Sequence, residues 1–187
     1  YSSKHKEYVP LIFSFCYYVE MLPIALILHN IRSTYNVGSI LRTADCFGIQ
    51  NIYFSGYTPY PSHSNDSRMP HIAKRLTSQI AKTALGAEQT VTFSVYDTIE
   101  AAISAARRDG YHIAALEQDE QSVLINKYTF LTATAFVLGN ELSGIDEWTK
   151  HSADAILEIK QYGTKESLNV ANATAIAVYA ARSQQQN

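Results

Sequence analysis

The chain has 187 residues, 47% hydrophobic and 17% charged, enough to bury one substantial core and a composition that excludes intrinsic disorder. Its formal net charge of -2 gives no global attraction to a polyanion, so a nucleic-acid partner must be held by local cationic patches or by patches pooled in an oligomer. The two cysteines, Cys16 and Cys46, have no metal-type spacing and the six histidines no ligand-like pairing, which argues against a metal centre and for reduced thiols in a cytoplasmic protein.

Lys4 and Lys6 precede an apolar run from Val9 to Val19, but no small-residue cleavage site follows. The run contains Pro10 and ends at Glu20, too short for a membrane span of about 20 residues. Residues 1–20 therefore read as an extension packed on the domain or on a partner, with one domain over 21–187. Ile24 to His29 reads as a buried strand. Val37, Ile40, Leu41 and Ala44 then fall at helical spacing, and Gly48 can close that helix in the left-handed conformation. Asn51 to Ser55 is a second strand, followed by a long loop carrying Gly56, Pro59 and Pro61. A polar helix is predicted over Ile72 to Leu85, a strand over Val91 to Val95, and a helix from the stripe Ile99, Ala102, Ile103, Ala106, stopped by Gly110. His112 to Leu116 and Thr134 to Leu138 are strands separated by an acidic linker with an apolar turn at Val123 and Leu124. Ala155 to Ile159 is the last strand. A final helix over about Asn169 to Arg182 is apolar on nearly every face, hence deeply buried or shared with another subunit. The alternation predicts an α/β domain with a mostly parallel sheet and helices on both faces.

Three segments carry candidate chemistry. In the first, Asn36 is placed just before a helix, Gly38 permits close backbone approach, and Arg42 stands one turn in, leaning back over the loop that holds Asn36. A guanidinium and a helix N-terminus facing one point suit a phosphate, although an ordinary cap with a solvated arginine accounts for the same residues. The second, Gly139-Asn140-Glu141-Leu142-Ser143-Gly144, follows a strand; it lacks the Lys-Ser or Lys-Thr ending of a phosphate-binding loop, and such a loop by itself is more often a plain turn than a site. In the third, Ser167-Leu168-Asn169 introduces the last helix, where either polar residue can be a cap. No G-x-S-x-G elbow supports Ser167 as a hydrolase nucleophile.

In order and spacing the three segments resemble the motifs of the SpoU or TrmH-like branch of the SPOUT RNA methyltransferases, and the stretch Ile80 to Glu88 resembles that family's middle region. The resemblance runs from about Leu22 to Arg182. It implies a C-terminal deep trefoil knot, an S-adenosylmethionine cofactor, a homodimer, and methyl transfer to a ribose 2'-hydroxyl of tRNA or rRNA, without a metal. By the same resemblance Gly139, Ile159 and Leu168 contact the cofactor through backbone groups, with Leu116, Asn140 and Glu141 lining the pocket. Arg42 is the catalytic arginine, Asn36 and Asn169 orient the ribose, and Glu141 and Ser167 organise the site. Lys160 and Gln161 depart from the Pro and Met usual in the third motif, and Leu142-Ser143 stands where glycine is common. With no N-terminal RNA-recruiting domain in view, recognition is expected from Arg32, Arg42, Arg68, Lys74, Arg75 and Lys82, with Tyr57 and Tyr60 as stacking partners. A solvated helix face accounts for the same cations. The rival of another class is a catalytically inactive RNA-binding or ribosome-assembly factor on the same fold.

Overall fold

A computed structural model describes residues 21–49 and 51–184; the expected extension over 1–20, Cys16 included, lies outside the described residues. Among the described residues, five α-helices and seven strands follow in the order β1 (Ile24–His29), α1 (Thr34–Cys46), β2 (Asn51–Ser55), α2 (Pro70–Ala84), β3 (Thr92–Tyr96), α3 (Ile99–Arg108), β4 (His112–Leu116), β5 (Val123–Leu124), β6 (Thr134–Leu138), α4 (Glu147–Ser152), β7 (Ala155–Glu158) and α5 (Val170–Gln184). They build one seven-stranded sheet in the order β3-β2-β1-β6-β4-β7-β5. Every strand pairing is parallel, so the expectation of a mostly parallel sheet tightens to a wholly parallel one among the described residues.

A parallel sheet covered on both faces needs strands that are apolar throughout, and the runs IALILH and TAFVL at the centre meet that need. Alternate side chains divide between two cores. Leu26, Leu28, Phe54, Phe136 and Leu138 pack with residues of α1, α2 and α5, whereas Ala25, Ile27, Tyr53, Ala135 and Val137 pack with α3. Local chemistry sets the helix ends. Ser33 accepts the Asn36 backbone N–H at the start of α1, and Gly48, at φ 64°, turns the chain after it. The buried Arg182 of α5 donates from Nε to the Phe47 carbonyl at that end and from a terminal nitrogen to Leu22, clasping the last helix to the first.

Several boundaries differ from the sequence reading. Val123 and Leu124, expected as a turn, form β5 by pairing with Leu157 and Glu158 of β7, a register that no local pattern encodes. Helix α4 was not anticipated, although Asp146 announces it by accepting the backbone N–H and the hydroxyl of Thr149. α2 starts at Pro70, whose missing N–H costs nothing at a first helical turn, rather than at Ile72. β3 is shifted one residue toward Tyr96, β7 ends at Glu158, and α5 begins after Asn169.

α1 and α2 meet at Gly38, where a Cβ would run into the Ile80 carbonyl and the Thr83 hydroxyl. That hydroxyl also donates to the Tyr35 carbonyl at 2.9 Å, so the two helices are pinned as well as packed. Gly38→Ala is expected to destabilise the fold by about 1–3 kcal/mol, read as a fall in melting temperature of a few degrees in a thermal scan.

Candidate active site

All strands being parallel, the loops after β1, β4, β6 and β7 emerge at one edge of the sheet, the edge where ligands sit in open α/β folds. A cavity of about 580 Å³ opens there. Leu116, Gly139, Asn140, Glu141, Ile159, Ser167, Leu168 and Asn169 all border it, so the second and third sequence segments converge although some twenty residues of chain and two elements separate them.

The first segment reaches the same place through Glu141. Its carboxylate accepts the Arg32 backbone N–H at 3.0 Å, the Ser33 backbone N–H at 3.1 Å and the Asn36 side-chain amide at 2.9 Å. Burial alone would push this carboxyl up, but the three hydrogen bonds outweigh burial and hold it below the ordinary glutamate range. Because a carboxylate only accepts, the amide of Asn36 must turn its nitrogen to Glu141 and its oxygen outward. That oxygen accepts from the Asn169 side chain at 3.0 Å, which leaves the Asn169 oxygen to cap α5 through the Ala171 backbone N–H at 2.9 Å. A carboxylate on the second segment thus fixes the orientation of one amide on each of the other two.

Asn140 serves a different end. Its side-chain nitrogen donates to the Asn30 carbonyl and the Tyr57 hydroxyl, both at 2.8 Å, and its oxygen accepts from Leu142 and Ser143. The loop closes by paired backbone bonds between Asn140 and Gly144, and a Cβ at Gly139 would strike the Gly144 carbonyl. Glycine is required at 139 because the loop folds directly back over it.

The placement of Arg42 corrects the sequence reading. Ser33 starts the helix early, so Asn36 lies inside α1 and Arg42 more than two turns in. Six helical positions rotate by about 240° net, which sets the Arg42 side chain on another face from Asn36 rather than back over it. Arg42 is exposed, borders no part of the cavity and makes no hydrogen bond or ion pair among the described residues. The other cations divide as well. Lys74, Arg75 and Lys82 are exposed on α2, and Arg32 is exposed after β1. The Arg68 guanidinium is held within its own loop by Asp66 at 2.6 Å and by the carbonyls of Tyr60 and Pro61. Lys160 is exposed and Gln161 borders the cavity.

Sequence reasoning missed the acidic side of this site. Glu117, which follows β4, accepts the Ile145 and Gln118 backbone N–H groups, and Glu147 and Glu158 border the cavity with it. Among the described residues Lys150 is the one basic residue on the wall, and Asp119 and Glu147, at 2.8 and 2.5 Å, already hold its charge. The signal available was position alone, a carboxylate directly after the C-terminal end of a parallel strand.

The profile of the SpoU rRNA Methylase family matches residues 23–179. The chain belongs to this family. Among SpoU relatives, a tRNA (guanosine(18)-2'-O)-methyltransferase of Escherichia coli is 27% identical over 160 residues, 86% of this chain and 63% of the relative. A 23S rRNA (guanosine-2'-O-)-methyltransferase of Neisseria meningitidis is 27% identical over 79% of this chain and 53% of its own length. The chain therefore spans less than two thirds of the length of these curated relatives. Of solved SpoU-type structures, the Aquifex aeolicus TrmH/SpoU tRNA modifying enzyme superposes with a TM-score of 0.72 at 23% identity, over 89% of this chain and 77% of that one. An AdoMet-bound rRNA methyltransferase from Sinorhizobium meliloti gives a TM-score of 0.71 at 24% identity, over 86% of this chain and 56% of that one. At such identities these likenesses establish the fold.

Proposed function

We propose that the protein is an S-adenosylmethionine-dependent methyltransferase acting on a ribose 2'-hydroxyl of tRNA or rRNA in the cytoplasm. The observation that carries this reading is the hydrogen-bonded series Glu141, Asn36, Asn169, which joins three distant segments beside one cavity. The cavity fits the cofactor in size, in the apolar Leu116, Leu138, Leu157 and Ile159 available to an adenosine, and in charge. Four carboxylates against one lysine favour a ligand bearing a sulfonium and an ammonium. Gly139, Ile159 and Leu168 would hold it through backbone groups, with Leu116, Asn140 and Glu141 completing the wall. When bound, it supplies an electrophilic methyl group.

Asn36 and Asn169 orient the ribose, Ser167 lines its approach, and Glu141 keeps both amides in register. A guanidinium stays protonated at any physiological pH, so Arg42 acts by gripping an RNA phosphate and stabilising developing alkoxide charge rather than as a base. Arg42 does not border the cavity of its own chain and serves instead the site of a second subunit. The homodimer this requires is supported by exposed apolar side chains on α5, Ile176 and Tyr179, and on the loops after β6 and β7, Leu142, Tyr162 and Leu168. The trefoil knot is supported by β7, which lies between β4 and β5 although it follows both in the chain. Arg32, Lys74, Arg75 and Lys82 supply the phosphate contacts.

Isothermal calorimetry with S-adenosylmethionine tests this reading. Binding is expected in the wild type and about tenfold or more weaker in Gly139→Val, whose side chain forces the 139–144 loop open. A wild-type protein that takes up no S-adenosylmethionine would sink the enzyme reading and favour the non-catalytic RNA-binding factor.

A further inference from the structure

Beyond the cofactor cavity a second groove of about 690 Å³ lies between the loops after β1 and β2 and the outer side of α2. Its wall carries Tyr35 and Tyr57, 51% and 60% exposed, together with Arg32 and Gln79. Exposed tyrosine rings bordering a groove are good platforms for flat aromatic ligands. The Gln79 amide and the Arg32 guanidinium make no hydrogen bond among the described residues, so both have donors to offer a ligand. Cations flank the rings: the Lys82 ammonium lies 6.0 Å from the Tyr35 ring centroid, and the Arg68 guanidinium lies 3.5 Å from that of Tyr60.

The groove also shares a wall with the first site. The backbone of Arg32 and Ser33, which borders it, donates to Glu141, and the Tyr57 hydroxyl accepts from Asn140. A ligand in the groove therefore lies directly behind the loops that border the cofactor cavity.

We propose that this groove receives one unpaired base of the RNA substrate, a neighbour of the methylated nucleotide, stacked on Tyr35 and Tyr57 and read at its edge by Gln79. The proposal rests on the methyltransferase reading for its substrate class and deepens it: the substrate must be single-stranded next to its target. A paired base presents no free face, whereas an unstacked base offers both a face and an edge.

The test uses single-stranded oligouridine carrying one central 2-aminopurine, whose fluorescence is quenched on stacking, with calorimetry of S-adenosylmethionine on the same proteins. Wild type and Tyr35→Phe are expected to quench the probe. Tyr35→Ala and Gln79→Ala are expected to bind it about 5- to 100-fold more weakly with unchanged S-adenosylmethionine affinity and melting temperature. Equal quenching by all four proteins, or none by wild type, overturns the groove even where S-adenosylmethionine binds. Failure of S-adenosylmethionine to bind overturns the enzyme reading instead, and the quenching arm still decides whether the groove holds a base.

Discussion

Arg42→Ala is expected to lower methyl transfer by about 10²-fold or more while S-adenosylmethionine affinity stays within a few-fold. Arg42 is exposed and makes no hydrogen bond among the described residues, so its removal leaves the fold intact, with a stability change within about 0.5 kcal/mol. A loss of rate without loss of fold or cofactor binding is the signature of a group acting on the RNA. The position of Arg42 on a face of α1 away from Asn36 sharpens the expectation further. If it serves a partner's site, mixing inactive Arg42→Ala and inactive Glu141→Gln chains restores about a quarter of wild-type activity, because half the dimers are mixed and each holds one complete site. Single-turnover assays on the mixture check this, and no recovery after confirmed subunit exchange would refute the shared site.

The second large effect is expected at Glu141. Glu141→Ala removes the acceptor of two backbone N–H groups and of the Asn36 amide, and with it the reason for the orientation of Asn169. A stability loss of about 1–3 kcal/mol is expected, with activity falling by more than that figure alone explains, since the Asn36 and Asn169 amides, proposed to orient the ribose, are released together. Acidity gives a separate handle. The carboxyl titrates below its ordinary range in the folded protein, so its contribution is complete above the unfolded value of about 4.3 and is lost as pH falls through the folded value. The stability difference between wild type and Glu141→Gln, measured by urea unfolding, should therefore shrink between neutral pH and pH about 3; a difference that grew on acidification would contradict the assignment.

Much of this architecture is legible in the sequence because strand and helix periods are local. The limits of β1, β4 and β6 coincide with the apolar runs that define them, since a strand buried on both faces must be apolar from end to end. β5 is not legible, because two residues carry no period and owe their strand character to β7. The polar residues of the site were nameable from their order along the chain, but their wiring was not. That Asn140 faces its own loop while Asn36 faces Glu141 depends on which donors the fold brings near each amide. Arg42 was misplaced for a local reason: the Ser33 cap begins the helix early, and a shift of two or three residues turns a helical side chain through most of a circle.

The placement of β7 has a consequence for how the molecule is made. An interior strand, hydrogen-bonded on both edges, is drawn from a segment close to the end of the described chain, and its nearest neighbours are formed far earlier. Folding cannot then proceed as simple accretion from the first residue to the last. β5, an edge strand paired with β7 alone, must wait for the late segment, with the slow kinetics and the exposed sticky edge of β4 that distant pairing entails. Truncation after residue 150 would accordingly leave the β4 edge unmatched, β5 without its strand partner and a half-built cavity rather than a smaller working protein.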